Sequence, residues 1–356
     1  MCLAYLKHFG GDSQAVVQHA RYRRILDEEA SAELFDLLSE PRTGVRRGLV
    51  KSILRSAAKR KLGGKNRLYL NIGHTGLDDD GFAAWVRGAE VQPIYLVHDL
   101  IPITHPEYCR AGEQSRHLNR MRTVLATAAG VIANSQATLD ELAEFGRAQN
   151  LPSPPSVAAW LGTTDRLAPN EPLPIPDRPT FVVLGTIEAR KNHLMLLQVW
   201  TRLIQRFGGD APQLLVIGQR GWECEQVFDL LDRSETLRNA VVEIGNCSDE
   251  DLARHLANAR TLLFPSLVEG YGLPLIEALH AGTPVIASDL PVFREIGEGI
   301  PDYLDPLDSP AWEKTILDYS RDGSKARQNQ LRRLSGYQAP TWEDHFSKVD
   351  AWMGQL

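Results

Sequence analysis

The chain is poor in the features that would place it outside the cell or across a bilayer. Four cysteines, Cys2, Cys109, Cys224 and Cys247, occur in 356 residues, and none is spaced as a pair or a metal knuckle. That scarcity excludes a disulfide-built scaffold and reads as reduced thiols in a cytosolic protein. No apolar run approaches the ~18 residues that span a bilayer, and the first residues lack the charged-then-apolar order of a secretory leader. No Gly-x-Gly-x-x-Gly follows an apolar run, which argues against an NAD-dependent oxidoreductase.

Acidic residues are missing from positions 41–77, whereas Arg42, Arg46, Arg47, Lys51, Arg55, Lys59, Arg60, Lys61, Lys65 and Arg67 fall in that stretch. The whole chain has a formal charge of −6, so the excess is local. Leu49, Val50, Ile53, Leu54 and Ala57 add an apolar face at helical spacing, which predicts an amphipathic basic helix. Two readings of residues 42–67 stay open, a surface for an anionic bilayer and a helix docked on its own domain with a solvated basic face. A nucleic-acid partner is not expected, because no aromatics interleave with the cations and no recognition module is present.

A chain of this length can bury two cores. Short apolar runs at 68–71, 93–97, 130–134 and 157–161, and again at 180–185, 213–218, 240–245, 261–264 and 284–288, alternate with helical patterns. That alternation predicts an α/β protein with parallel sheets. Pro169, Pro172, Pro174, Pro176 and Pro179 crowd the middle and mark a linker over 166–179. The expected units are an N-terminal domain at 1–165, a second domain at 180–339 and a terminal helix at 340–356, with Trp342, Phe346, Val349 and Trp352 at helical spacing.

The most informative stretch, residues 269–277, reads Glu-Gly-Tyr-Gly-Leu-Pro-Leu-Ile-Glu. It follows an apolar run ending in Pro265-Ser266, as a strand entering a turn would. Gly270 and Gly272 permit a tight turn, and Pro274 suits the first helical position. This spacing places Glu277 in the first helical turn, beside free N–H groups that attract anions. A carboxylate there repels phosphate, so Glu277 is expected to accept hydrogen bonds from neutral hydroxyls such as those of ribose. Residues 185–192, Gly-Thr-Ile-Glu-Ala-Arg-Lys-Asn, follow another apolar run and set Arg190 and Lys191 at a strand's carboxyl end, where ligands of open α/β sheets bind and where two cations suit a pyrophosphate.

Together with Ala-Gly-Thr-Pro-Val-Ile-Ala-Ser-Asp at 281–289 and Val-His-Asp-Leu-Ile-Pro at 97–102, these segments resemble the retaining glycosyltransferases of family four. The resemblance implies the GT-B fold, two Rossmann-like domains with parallel sheets facing a central cleft, and a nucleotide-sugar donor. It implies that Glu269 and His98 contact the transferred sugar from opposite domains and that Arg190 and Lys191 hold the leaving diphosphate. Donor contacts are implied for Glu277, Gly270, Tyr271, Gly272, Leu273 and Gly185, and for Asn246 and Cys247 in the loop around the nucleobase. No metal and no separate cofactor are expected. Asp78, Asp79 and Asp80 read as a helix start, and Ser135 as a helix N-cap. His74 reads as an acceptor-side or turn residue, and Gly218 to Trp222 as a strand-to-helix loop.

Family members open with an apolar strand and a glycine-rich loop; here residues 1–9 read instead as the helix that follows, so the first strand is expected to be missing. The expected activity is retaining transfer of a hexose, mannose from GDP-mannose preferred, to a polysaccharide or lipid-linked acceptor by a cytoplasmic enzyme, peripheral on the membrane if the basic stretch docks there. A sugar-nucleotide epimerase of the same fold and a catalytically silent nucleotide-sugar-binding subunit remain alternatives.

Overall fold

The computed structural model describes residues 1–19, 22–39, 64–163 and 177–356. Most of the basic segment at 42–67, up to residue 63, and the linker through residue 176 lie outside the described residues.

Runs of four to six apolar, often β-branched residues are too short for helices and too evenly apolar for one-sided sheets, and they form strands that are buried on both faces at the centre of each sheet. In the N-terminal half, β3 (Leu68–Asn71), β4 (Gln92–Val97), β5 (Gly130–Ala133) and β6 (Ser156–Ala158) lie side by side in that order, all parallel. Tyr95 and Val97 of β4 face a core with Leu77, Phe82, Met121 and Val124. Ile94 and Leu96 face the other side, where Phe346 and Val349 of the terminal helix Trp342–Met353 complete the layer with Tyr5 of the helix Cys2–Phe9. The terminal helix is fixed at its start by a reciprocal cap between Thr341 and Asp344.

In the C-terminal half, β7 (Thr180–Leu184), β8 (Gln213–Ile217), β9 (Val241–Ile244), β10 (Thr261–Phe264), β11 (Val285–Ser288) and β12 (Asp302–Leu304) form one parallel sheet in the order β12-β11-β10-β7-β8-β9. Trp200, Leu203, Trp312 and Tyr319 close one face, and Leu275, Ile276, Leu279 and Phe293 the other. Strand order reverses between β7 and β10. Connections leaving these neighbours go to opposite faces, which opens a crevice at their carboxyl ends.

Three strands went unread in the sequence. Val16–His19 (β1) and Tyr22–Ile25 (β2) pair antiparallel, although Gln18, His19, Arg23 and Arg24 hide any alternation. Arg23 is nevertheless buried, donating to Asp79 at 2.9 Å and lying over the Phe82 ring. The three half-buried residues of β12 are too few to register as a strand.

Candidate active site

The segment leaving β7 makes a short 3-10 turn, Ala189–Lys191, and ends at Asn192 with a left-handed φ of 58°. The Asn192 amide donates to the carbonyls of Pro265 (3.2 Å) and Pro306 (2.9 Å), fastening this turn to the loop after β10. Fastened so, the turn delivers both cations to one acid. The Glu269 carboxylate accepts from Arg190 Nη1 at 2.7 Å, from Ser266 Oγ at 2.8 Å and from Lys191 Nζ. Arg190 Nε donates in addition to Glu188 at 3.0 Å.

Two buried acids and two cations thus balance at the switch point. Burial pushes the Glu269 carboxyl up, but Lys191, Arg190 and the Ser266 hydroxyl overcome it and hold the group below its ordinary value. For Arg190, burial opposes the charge and the two glutamates more than restore it. Among the described residues the Arg190 Nη2 group and two of the three Lys191 protons keep no partner. Those donors can meet an anion without breaking the existing pairs.

The facing half-site is made of imidazoles. His98 leaves the end of β4 with Nε2 2.8 Å from the carbonyl oxygen of Ile72. A carbonyl only accepts, so Nε2 carries a proton, and in the Nε2–H tautomer Nδ1 is the acceptor. His74 lies 5.2 Å from His98 and 5.7 Å from His117, ring centre to ring centre. His117 Nε2 donates to the Asp99 carbonyl at 3.0 Å. His74 is buried with its Nε2 unpartnered among the described residues, and its backbone is left-handed at φ 56°. Burial, with His98 and His117 beside it, pushes its pKa down to about 3. The three rings do not converge as a metal ligand set. His117 was missed in the sequence, although it shares the buried stripe of its helix with Met121, Val124 and Leu125, the spacing that could have marked it.

The two half-sites touch at Gly270. A Cβ there would stand 2.6 Å from both the His98 carbonyl oxygen and the Asp99 Cβ, so no other residue fits without moving the domains apart. His98, Glu269, Arg190 and Lys191 are therefore brought to one place.

Two donor-side expectations change. Glu277 is the fifth residue of the helix Leu273–His280, one residue further in than the sequence placed it, because the helix starts directly after Gly272 (φ 120°) with Pro274 as its second residue. The side chain is half-buried with no hydrogen bond among the described residues, and burial followed by repulsion from Asp249 raises its pKa. That repulsion sets Glu277 beside the loop after β9, which carries exposed Asn246 and half-buried Cys247. Tyr271, expected to face the donor, instead turns its ring into the core and donates from its hydroxyl to the Leu161 carbonyl at 3.0 Å. Leu273 stays exposed at the helix start, and Gly185 lies beside Lys191.

Residues 166–299 match the family described as glycosyl transferases group 1. The chain carries a group 1 glycosyl transferase domain. Its relatives include the serotype-specific mannosyltransferase WbdA of Escherichia coli, 31% identical over 235 residues covering 60% of this chain and 28% of that protein. The O-antigen chain mannosyltransferase B of Escherichia coli is 29% identical over 257 residues, covering 69% of this chain and 66% of the relative. This chain thus spans under a third of WbdA. Among solved structures, HepE of Anabaena in complex with UDP and glucose superimposes with a TM-score of 0.66 at 17% identity, over 93% of this chain and 90% of that one. The glycosyl transferase domain and the N-terminal sheet together have the GT-B fold.

Proposed function

We propose that the chain is a retaining hexosyltransferase that moves a hexose from a nucleotide sugar to a saccharide or lipid-linked saccharide acceptor. The observation that carries this is the balanced Glu188–Arg190–Glu269–Lys191 cluster at the switch point, with His98 set against it across Gly270. Mannose is the preferred sugar, supported by the names of the mannosyltransferase relatives, and GDP-mannose the preferred donor.

The diphosphate takes the free donors of Arg190 and Lys191 and the exposed N–H groups at the start of the helix Leu273–His280. Glu277 accepts from the ribose hydroxyls, and backbone groups near Asn246 and Cys247 border the base. Glu269, kept ionised by its cations, and His98 Nδ1 accept from sugar hydroxyls on opposite sides. As the bond from anomeric carbon to phosphate oxygen breaks, charge grows on the leaving oxygen. That oxygen takes the proton of the acceptor hydroxyl, whose oxygen bonds the anomeric carbon on the same face. The side chains supply position and charge stabilisation.

Nucleoside diphosphate release, measured across a panel of nucleotide sugars with and without glycan acceptors, tests the reading. Acceptor-dependent GDP release from GDP-mannose is expected. An epimerised sugar formed without acceptor, or binding without turnover, would replace it with an epimerase or a silent binding subunit.

For a lipid-linked acceptor, the acid-free run at 42–67 is the part of the chain that would meet the bilayer. Each cation near an anionic surface contributes ~1 kcal/mol. Replacing Arg46, Arg47, Lys51 and Arg55 with glutamine should release the protein from phosphatidylserine vesicles. Unchanged co-sedimentation would remove the membrane from this reading.

A further inference from the structure

The contacts that hold the two sheets together converge on the residues that hold His98. Glu295, in the short helix Pro291–Ile296 of the C-terminal half, reaches across to the helix Gln136–Ala148 of the other domain. One carboxylate oxygen accepts from the Gln136 backbone N–H at 2.8 Å and from Trp160 Nε1 at 2.7 Å; the other accepts from the Ala137 N–H at 3.0 Å. These are charge-assisted bonds to the positive end of a thirteen-residue helix, the kind a helix terminus rewards most.

The next residue of that helix, Thr138, is buried. Ser135 Oγ accepts from the Thr138 N–H at 3.1 Å as the helix cap, and its own hydroxyl donates to Thr138 Oγ1 at 3.0 Å. The single Thr138 hydroxyl proton is thereby directed to the Gly270 carbonyl at 3.2 Å, with the His98 carbonyl close by at 3.5 Å. Asn134 Nδ2, just ahead of the same helix, donates to that His98 carbonyl at 2.9 Å. The start of one helix therefore fixes the backbone of His98 on one side and the loop carrying Glu269 on the other. Glu295 fixes that helix start from the opposite domain.

We propose that Glu295 and Thr138 are positioning residues that make closure of the two domains and the seating of His98 against the Glu269 loop a single event. This rests on the transfer reading above for its catalytic consequence, and on the interdomain bonds alone for its structural one. Opening the domains breaks the Glu295 bonds and the Thr138 bond to Gly270 together, so a half-closed state keeps neither.

Two measurements on the full chain test this. In small-angle scattering without ligand, Glu295→Gln should increase the radius of gyration, because the amide replaces one accepting oxygen with a donor that faces an N–H. Trp160→Phe, which removes one of the three donors, should shift it the same way and less, and stands in if Glu295→Gln does not fold. In the transfer assay, Thr138→Val should lower kcat by about three- to tenfold, the worth of one neutral hydrogen bond. GDP affinity should stay at the parental value, and Thr138→Ser should restore kcat. An unchanged radius of gyration in both Glu295→Gln and Trp160→Phe overturns the latch. Parental kcat in Thr138→Val, or Thr138→Ser as slow as Thr138→Val, overturns the seating of His98. If the parent turns over no nucleotide sugar, the transfer reading fails by itself and the scattering result still decides the latch.

Discussion

The two walls of the cleft solve different electrostatic problems. On the C-terminal sheet, Glu188, Arg190, Lys191 and Glu269 are full charges buried together and matched in number. On the N-terminal sheet, His98, His74 and His117 are imidazoles, and two of them are bonded to backbone carbonyls. Buried charges survive only when paired, so the charged wall must be assembled before any ligand arrives. Rings held by backbone carbonyls need no opposite charge beside them and can be aimed by the backbone alone. In the proposed transfer, whose negative charge develops on the leaving diphosphate, the wall of cations would lower the barrier and the wall of imidazoles would fix direction.

The sharpest way to break this contrast is to remove one cation. Lys191→Ala takes away a contact to the leaving group and leaves Glu269 leaning on Arg190 and Ser266. By the worth of one lost oxyanion-type donor, the barrier should rise by about 2 to 4 kcal/mol, roughly 30- to 1000-fold in kcat. Turnover within tenfold of the parent would move the charge stabilisation elsewhere.

Next in size is the loss of the acid that has no cation. Glu277 is half-buried with no hydrogen-bonding partner among the described residues, and both burial and Asp249 raise its pKa. Ribose hydroxyls would supply the missing hydrogen bonds. Glu277→Ala should weaken GDP binding by about ten- to a hundredfold, the worth of a hydrogen bond to a charged group. A 2′,3′-dideoxy nucleoside diphosphate has no such hydroxyls and should bind parent and variant nearly alike. Calorimetry on both ligands separates this from a folding effect, which would weaken the two equally.

The same contrast governs how far the sequence could be read. The charged wall was legible because each of its members sits in a local segment, 185–192 or 269–277, at the end of an unbroken apolar strand. The pairing itself was not legible. Residue order points Arg190 and Lys191 at the diphosphate, and the family resemblance points Glu269 at the sugar; nothing in either says that the two cations close on Glu269. The imidazole wall was half legible. His98 follows a strand, whereas His117 lies mid-helix and His74 in a turn, and only the pairing of β3 with β4 and the packing of the helix Glu113–Thr127 against that sheet bring them together. Tyr271 was misread because a turn between two glycines can send a ring either way, and the core beneath Leu161 decided it. Glu277 was misplaced by one residue because a proline fixes a helix start only to within a residue or two. Glu295 gave no sign at all, since its partners, two backbone N–H groups and the Trp160 indole, all lie in the other half of the chain, far away in sequence.

The smallest effect tests whether neutral imidazoles also occur behind the charged wall. His193 opens the helix His193–Phe207 directly after Lys191 and Asn192; it is 3% exposed, with neither ring nitrogen partnered among the described residues. Burial, and then the neighbouring Lys191, pushes its pKa down to about 4 from an ordinary 6.5. The unfolded chain therefore takes up this proton first as pH falls. The stabilisation from keeping the ring neutral is complete above about pH 6.5 and is lost as pH drops toward 4. At pH 5 the loss is about 2 kcal/mol from this residue. His193→Gln removes the titration, so its loss of denaturant stability between pH 7 and pH 5 should be smaller than the parent's by about that amount. His74→Gln, on the other wall, should flatten the same pH dependence through the domain it belongs to. If the parent and His193→Gln weaken in parallel on acidification, His193 already has a proton or a hydrogen-bonding partner in the folded state, and the neutral ring behind the cations is ruled out.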